Sequence, residues 1–139
     1  MADTTVQTDM DVVRAFLGAL GRLDIDAAAH HLHDAVVYQN VPLRPARGRP
    51  MVEKQLQWMG RYGSAFEARI HNIAAAHGVV LTERTDVLGL GRMRASFWVC
   101  GTFEVQDGKI ILWRDYFDYV DVAVAFVKGA VRAVIGRNP

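Results

Sequence analysis

Three strand-like stretches of this chain carry titratable and amide side chains at alternate positions. Thr82, Arg84 and Asp86 lie two apart, with Val80 and Leu88 continuing the same face. Tyr38 and Asn40 are two apart in a second stretch, and Asp115 stands between Trp113 and Phe117 in a third. Successive strand side chains point to opposite faces, so residues two apart project together. Singly, each has an ordinary structural explanation: a solvated salt bridge, a core tyrosine with one hydrogen bond, a turn residue ahead of Pro42, an aspartate facing solvent. On one concave face those explanations fail. Two carboxylates, an arginine, a phenol and an amide in an apolar hollow require a complete hydrogen-bond network.

The chemistry open to such a set is specific. One guanidinium can donate to two carboxylates at once. Burial and a neighbouring like charge raise a carboxyl pKa, whereas the arginine lowers both. The pair can therefore hold one proton between them, placing an acid beside a base. An amide and a phenol able to fix a water against the base complete the set. Together they would deliver hydroxide and a proton at once, which is general acid–base hydrolysis without a covalent intermediate.

The elements that must position these groups follow from periodicity. Thr8 or Asp9 is expected to cap a helix running to about Leu20, with Val12, Val13, Phe16, Leu17 and Leu20 on one face and Gly21 ending it. A second helix starts near Asp24 or Asp26 and runs toward His33. A strand over 35–40 puts Val36, Tyr38 and Asn40 on one face. Pro42, Pro45 and Gly48 mark a loop, and Pro50 suits the first turn of a helix to about Tyr62 with Val52, Leu56 and Met59 inward. The period then becomes two, predicting strands over 66–76, 79–88, 93–105 and 109–117. Turns fall at His77-Gly78, Gly89-Leu90-Gly91 and Asp107-Gly108, the last with a type I′ hairpin signal. The final strand is expected to group Ile111, Trp113, Asp115 and Phe117 on one face, with Leu112, Arg114 and Tyr116 opposite. A closing helix from near Tyr119 to Ile135, apolar over much of its surface, would pack on the sheet or on a second subunit. Helices followed by antiparallel strands give an α+β fold, a single domain over 1–139 with helices on one side of a curved sheet.

Composition narrows the function class. The chain has 139 residues, 51% hydrophobic and 22% charged, with net charge +1, which suits a packed domain and not a disordered one. No concentrated basic face is visible, which argues against nucleic acid as a partner; Arg44, Arg47 and Arg49 read as solvated loop arginines. The single Cys100 forms no intrachain disulfide and reads as a small buried residue in an apolar strand. His30, His31 and His33 lack a carboxylate partner at ligand spacing, so they read as a solvated or interfacial helix end and no metal is expected. With no secretory signal visible at the N-terminus and no apolar run of bilayer length, a soluble cytoplasmic protein without a membrane partner is the expectation.

The segments Val37-Tyr38-Gln39-Asn40-Val41-Pro42-Leu43, Thr82-Glu83-Arg84-Thr85-Asp86-Val87-Leu88 and Trp113-Arg114-Asp115-Tyr116-Phe117-Asp118 together resemble limonene epoxide hydrolase, in order and over most of the chain. The resemblance implies a cone-like curved sheet, mixed or antiparallel, capped by helices around a deep pocket. It also implies a homodimer and no metal or organic cofactor. By the same resemblance Asp86 would be the acid that protonates the epoxide oxygen and Asp115 the base that deprotonates water. Arg84 would bridge the two acids, and Tyr38 and Asn40 would hold the water. Trp113, Phe117 and Leu88 would line a pocket for a small hydrophobic epoxide, and the product would be a vicinal diol. The likeness weakens over 89–100 and after Asp118. An isomerase or cyclase on the same fold, or a noncatalytic ligand-binding dimerisation domain, are the rival expectations. The chain is too short for a nucleophile-type epoxide hydrolase and lacks the nucleophile-elbow motif. Trp58, Met59, Phe97, Trp98 and Phe126 are further candidates for the pocket wall.

Overall fold

Residues 2–136 are described by the computed structural model. The chain runs α1 (Ala2–Gly21), α2 (Ile25–His30), β1 (Leu32–Val41), β2 (Ala46–Arg47), α3 (Arg49–Tyr62), β3 (Ala65–Ala76), β4 (Val79–Leu90), β5 (Met93–Gln106), β6 (Lys109–Phe117) and α4 (Tyr119–Val134). One six-stranded sheet has the order β2-β1-β6-β5-β4-β3. β1 runs parallel to β6 and every other neighbouring pair is antiparallel, so the sheet is mixed. The three N-terminal helices pack on it, giving the expected cone-shaped α+β fold.

Helix α1 supplies the plug of the core. Val13, Phe16, Leu17 and Leu20 recur at helical spacing and are all buried against Val36, Val80, Phe103, Ile110 and Trp113 of the sheet. Phe16 meets the Trp113 ring edge-on at 4.9 Å, a favoured aromatic geometry. From α3, Val52 and Leu56 are buried and Met59 packs against them, as the periodicity predicts.

Several boundaries differ from the sequence expectation, each for a local reason. α1 begins earlier than Thr8: that hydroxyl donates back to the Thr4 carbonyl (2.8 Å) from inside the helix, and Asp9 is buried within it. α2 stops at His30, because Leu32 already pairs with Ile110; its cap is Asp24, which accepts from the Ala27 N–H at 3.1 Å. β4 continues through Gly89 to Leu90, which pairs with Met93. Arg49 is no loop arginine but the start of α3, where it pairs with Glu53 at 2.6 Å. Cys100 is half-buried, since it lies across from Glu83 on the sheet's outer face.

The β6 expectation needs the largest correction. Glu104 pairs with Leu112 but Val105 with Ile110, so Ile111 is an extra residue, a β-bulge. Ile110 therefore joins Trp113 in the core, and Ile111 turns outward beside Leu112 and Arg114. Downstream of the bulge, Trp113, Asp115 and Phe117 keep their common face. The Asp107-Gly108 turn has positive φ at both residues (53° and 75°), as a type I′ hairpin requires.

α4 closes an open edge. β6 pairs with β5 only from Val99 onward, which leaves 93–98 of β5 unpaired on that side. Asp118 caps α4 by accepting from the N–H groups of Val120 and Asp121, and Asp121 in turn accepts from the Trp98 N–H (3.4 Å). Further along, Gly129 lies so close to the Arg94 carbonyl that any Cβ would overlap it. The helix thus covers the strand edge that would otherwise offer unpaired backbone groups. Its other side stays apolar and uncovered: Val120 is 73% exposed and Val127 64%.

Candidate active site

Strand register, not chain proximity, assembles the polar groups. Across β1, β6, β5 and β4, Asn40, Asp115, Gly101 and Thr82 stand in one row. Tyr38, Trp113, Phe103 and Val80 form the next row. Arg84 is fully buried, and Asp86 and Asp115 are nearly so. All five residues singled out for chemistry by alternation, Tyr38, Asn40, Arg84, Asp86 and Asp115, meet at the floor of the concave face.

Arg84 is the hub of that floor. Its Nε donates to Asp86 Oδ1 (2.8 Å) and its Nη2 to Asp86 Oδ2 (3.0 Å), a bidentate pair. The same Nη2 donates to Asp115 Oδ2 at 2.9 Å, and Nη1 donates to the Thr82 hydroxyl at 3.2 Å. Tyr38 stacks on Trp113 with ring centres 3.8 Å apart, and its hydroxyl donates to Asn40 Oδ1 at 3.1 Å. That bond fixes the Asn40 amide with its NH2 group free to serve as donor. Neither the Trp113 indole N–H nor Asp115 Oδ1 meets a partner in hydrogen-bond geometry among the described residues.

The electrostatics follow from burial. Asp115 is pushed up to about 6: desolvation is the main cause, opposed by the Arg84 charge and hydrogen bond and reinforced by the Asp86 charge, while the Trp113 indole draws it down slightly. Burial and then the Asp115 charge hold the Tyr38 phenol far above its usual range, so it stays protonated. Burial alone would weaken the Arg84 cation, but the two carboxylates outweigh it and its pKa rises.

Above this floor lies a cavity of about 190 Å³. Tyr38, Asn40, Asp86 and Asp115 are the polar members of its lining. Leu88, Trp113 and Phe117 form part of the wall, together with Met59 and Phe97. Leu20 of α1 and Phe66 of β3 complete it, and neither was visible as a wall residue in the sequence. Of the remaining candidates, Trp58 (63% exposed) and Trp98 (45%) lie on the surface, and Phe126 stacks behind Phe97. Gly101 was also missed. A Cβ there would fall on Arg84 Nη1 and 2.9 Å from both Asp115 Oδ1 and Thr82 Oγ1. The available signal was a lone glycine inside a long strand pattern, which marks close approach of other groups to the backbone.

The family model described as "Limonene-1,2-epoxide hydrolase catalytic domain" matches residues 7–128. The chain belongs to the limonene-1,2-epoxide hydrolase family. It is thus an epoxide hydrolase, an enzyme that opens an epoxide to a vicinal diol with water. The chain is 48% identical over 124 residues to epoxide hydrolase EphG of Mycobacterium tuberculosis (strain ATCC 25618 / H37Rv), spanning 88% of this chain and 82% of that one. A solved LEH-like epoxide hydrolase of M. tuberculosis superposes with a TM-score of 0.89 at 42% identity, covering 95% of this chain and 98% of the other. A SnoaL-like polyketide cyclase from Shewanella denitrificans OS-217 shares the fold alone, with a TM-score of 0.77 at 12% identity over 86% and 97% of the two chains. Among the described residues of this family member, no helix is long and apolar enough to cross a membrane, and no group of three or more His, Cys, Asp or Glu could hold a metal ion.

Proposed function

We propose that the epoxide hydrolase opens its substrate in one step with Asp115 as base and Asp86 as acid. The observation that carries this reading is the single Arg84 Nη2 donating to both acids beneath an apolar cavity. Asn40 and Tyr38 hold a water against Asp115. Asp115 takes a proton from that water while the water oxygen forms a bond to one epoxide carbon. The bond from that carbon to the epoxide oxygen breaks, and the oxygen takes the proton of Asp86. The product is a vicinal diol, and the proton has in effect moved from Asp86 to Asp115. One transfer between the two bridged acids, or by way of a water, restores the starting state.

Burial serves the role of the base. A base works best with a pKa near the working pH, and Asp115 at about 6 lies much closer to neutrality than an ordinary carboxylate. Arg84 keeps the pair from expelling all its charge, because it stabilises whichever acid is ionised. Since every polar lining group takes part in the chemistry, the rest of the substrate is recognised by hydrocarbon contact. A small apolar epoxide fits that wall.

A single turnover in heavy-oxygen water separates this mechanism from a covalent one. The label is expected in the diol and absent from the protein. A peptide containing labelled Asp115 or Asp86 would establish an ester intermediate and remove the one-step reading.

We also infer that the working enzyme is a homodimer, with the exposed α4 stripe of Val120, Val124, Val127 and Val131 as part of the buried contact. Light scattering should give the mass of two chains, and Val127→Asp should give the mass of one. A native monomer would overturn the inference.

A further inference from the structure

Arg84 reaches its partners by an unusual route. It pairs with Val99 across the sheet, one row away from Thr82, Gly101 and Asp115. Its guanidinium nevertheless donates to both Thr82 and Asp115, on either side of Gly101 in that row. This crossing is possible only because position 101 has no side chain: a Cβ there would lie on Nη1. The Thr82 hydroxyl donates to the Gly101 carbonyl (3.4 Å), which turns its lone pairs toward Arg84. Thr82 and Arg84 are both buried, so Nη1 has no bulk water to replace a lost acceptor.

We propose that Thr82 and Gly101 are positioning residues for epoxide opening. Gly101 supplies the vacant volume in which Arg84 and Asp115 meet, and Thr82 holds the third corner of the guanidinium so that it lies flat between the acids. Asp86 alone fixes two corners, Nε and Nη2, and leaves the tilt of the group to be set elsewhere. Thr82 sets that tilt, and the tilt decides how squarely Nη2 faces Asp115. Neither residue touches substrate, and neither is in the cavity lining. The inference rests on the acid–base reading above and extends it to the groups that hold Arg84 in place.

A pH readout distinguishes positioning from mere packing. The charged and titratable groups facing Asp115 are Arg84 and Asp86 from β4 and Tyr38 from β1, while α1 and α3 present the apolar Leu20 and Met59 to the cavity. A tilted Arg84 would stabilise ionised Asp115 less, so the acid limb of kcat should move to higher pH. The test compares the wild-type enzyme, Thr82→Val, Thr82→Ser and Gly101→Ala with limonene-1,2-epoxide as probe, at temperatures below each melting transition. Thr82→Val is expected to lower kcat about 10- to 100-fold, the size of one hydrogen bond to a charged group, with KM within about threefold. Its acid limb should shift upward. Thr82→Ser should restore kcat to within about threefold, and Gly101→Ala should reproduce the Val phenotype or exceed it. Wild-type kcat and acid limb in Thr82→Val would overturn the proposal. So would equal losses in the Val and Ser variants, since only shape would then matter. Should Gly101→Ala fail to fold, the Val and Ser pair still decides. Asp115→Asn, run alongside, tests the acid–base reading separately: activity retained there would condemn that reading, whereas activity lost there and kept in Thr82→Val would condemn only the positioning role.

Discussion

Asp115→Asn is expected to reduce kcat/KM by about 10²- to 10⁴-fold, and Asp86→Asn by a similar factor, the range ascribed to a lost general base or acid. Asparagine keeps the shape of aspartate, and at position 115 its oxygen can still accept from Arg84 Nη2. What it cannot do is take a proton. A variant retaining more than about one part in a hundred of wild-type activity would remove Asp115 from the proposed role. The same substitution carries a stability signature that an acid with an ordinary pKa would not show. The folded-state pKa of about 6 lies above the usual value of about 3.9. The folded protein therefore binds this proton more tightly than the unfolded chain does. The resulting stabilisation is full below about pH 4 and is lost as pH rises through about 6. At neutral pH the wild type carries the burial penalty of an ionised Asp115, and the neutral amide does not. Melting curves at pH 4.5 and 7.5 should show the variant gaining on the wild type at the higher pH, by an amount on the order of 1–3 kcal/mol. A difference that does not vary with pH would mean that Asp115 holds its proton no more tightly in the fold than in the unfolded chain.

Much of this site was legible because strand alternation is a local property. Spacing alone put Thr82, Arg84 and Asp86 on one face, Tyr38 with Asn40 on another, and Asp115 between Trp113 and Phe117. The convergence of those faces is not local. It depends on β1 lying parallel to β6 in the register that sets Asn40 beside Asp115, a pairing between residues more than seventy positions apart that no spacing encodes. The bulge at Ile111 was hidden for a related reason: its apolar side chain fits either face, so only the partner strand reveals the extra residue. Wall residues show the same limit. Leu20 reads as a core position of α1, and its exposure to the cavity follows only from where α1 crosses the sheet. Trp58 and Trp98 show the converse, large aromatic side chains that stay at the surface. Gly101 was available in principle, but its meaning comes from the side chains that converge on it.

Arg84→Lys tests the bridge itself and should be the most damaging conservative change in the protein. Lysine preserves the charge but concentrates it in one ammonium with three rotatable donors, whereas Arg84 spreads four hydrogen bonds over a rigid plane. No placement of a single nitrogen can face both oxygens of Asp86, Asp115 and the Thr82 hydroxyl together. At least one buried acceptor is left without its donor, and an unsatisfied buried acceptor costs about 1–3 kcal/mol. A lowered melting temperature and a fall in kcat of about 10³-fold or more are expected, the latter measured well below the transition so that unfolding does not account for it. Residual activity should carry a further mark. Burial already drives Asp115 upward, and Arg84 is the main opposing influence. With that opposition weakened, the acid limb of any remaining turnover should move above pH 6. A lysine variant active within tenfold of wild type, with an unmoved acid limb, would show that the two acids do not depend on a shared planar donor.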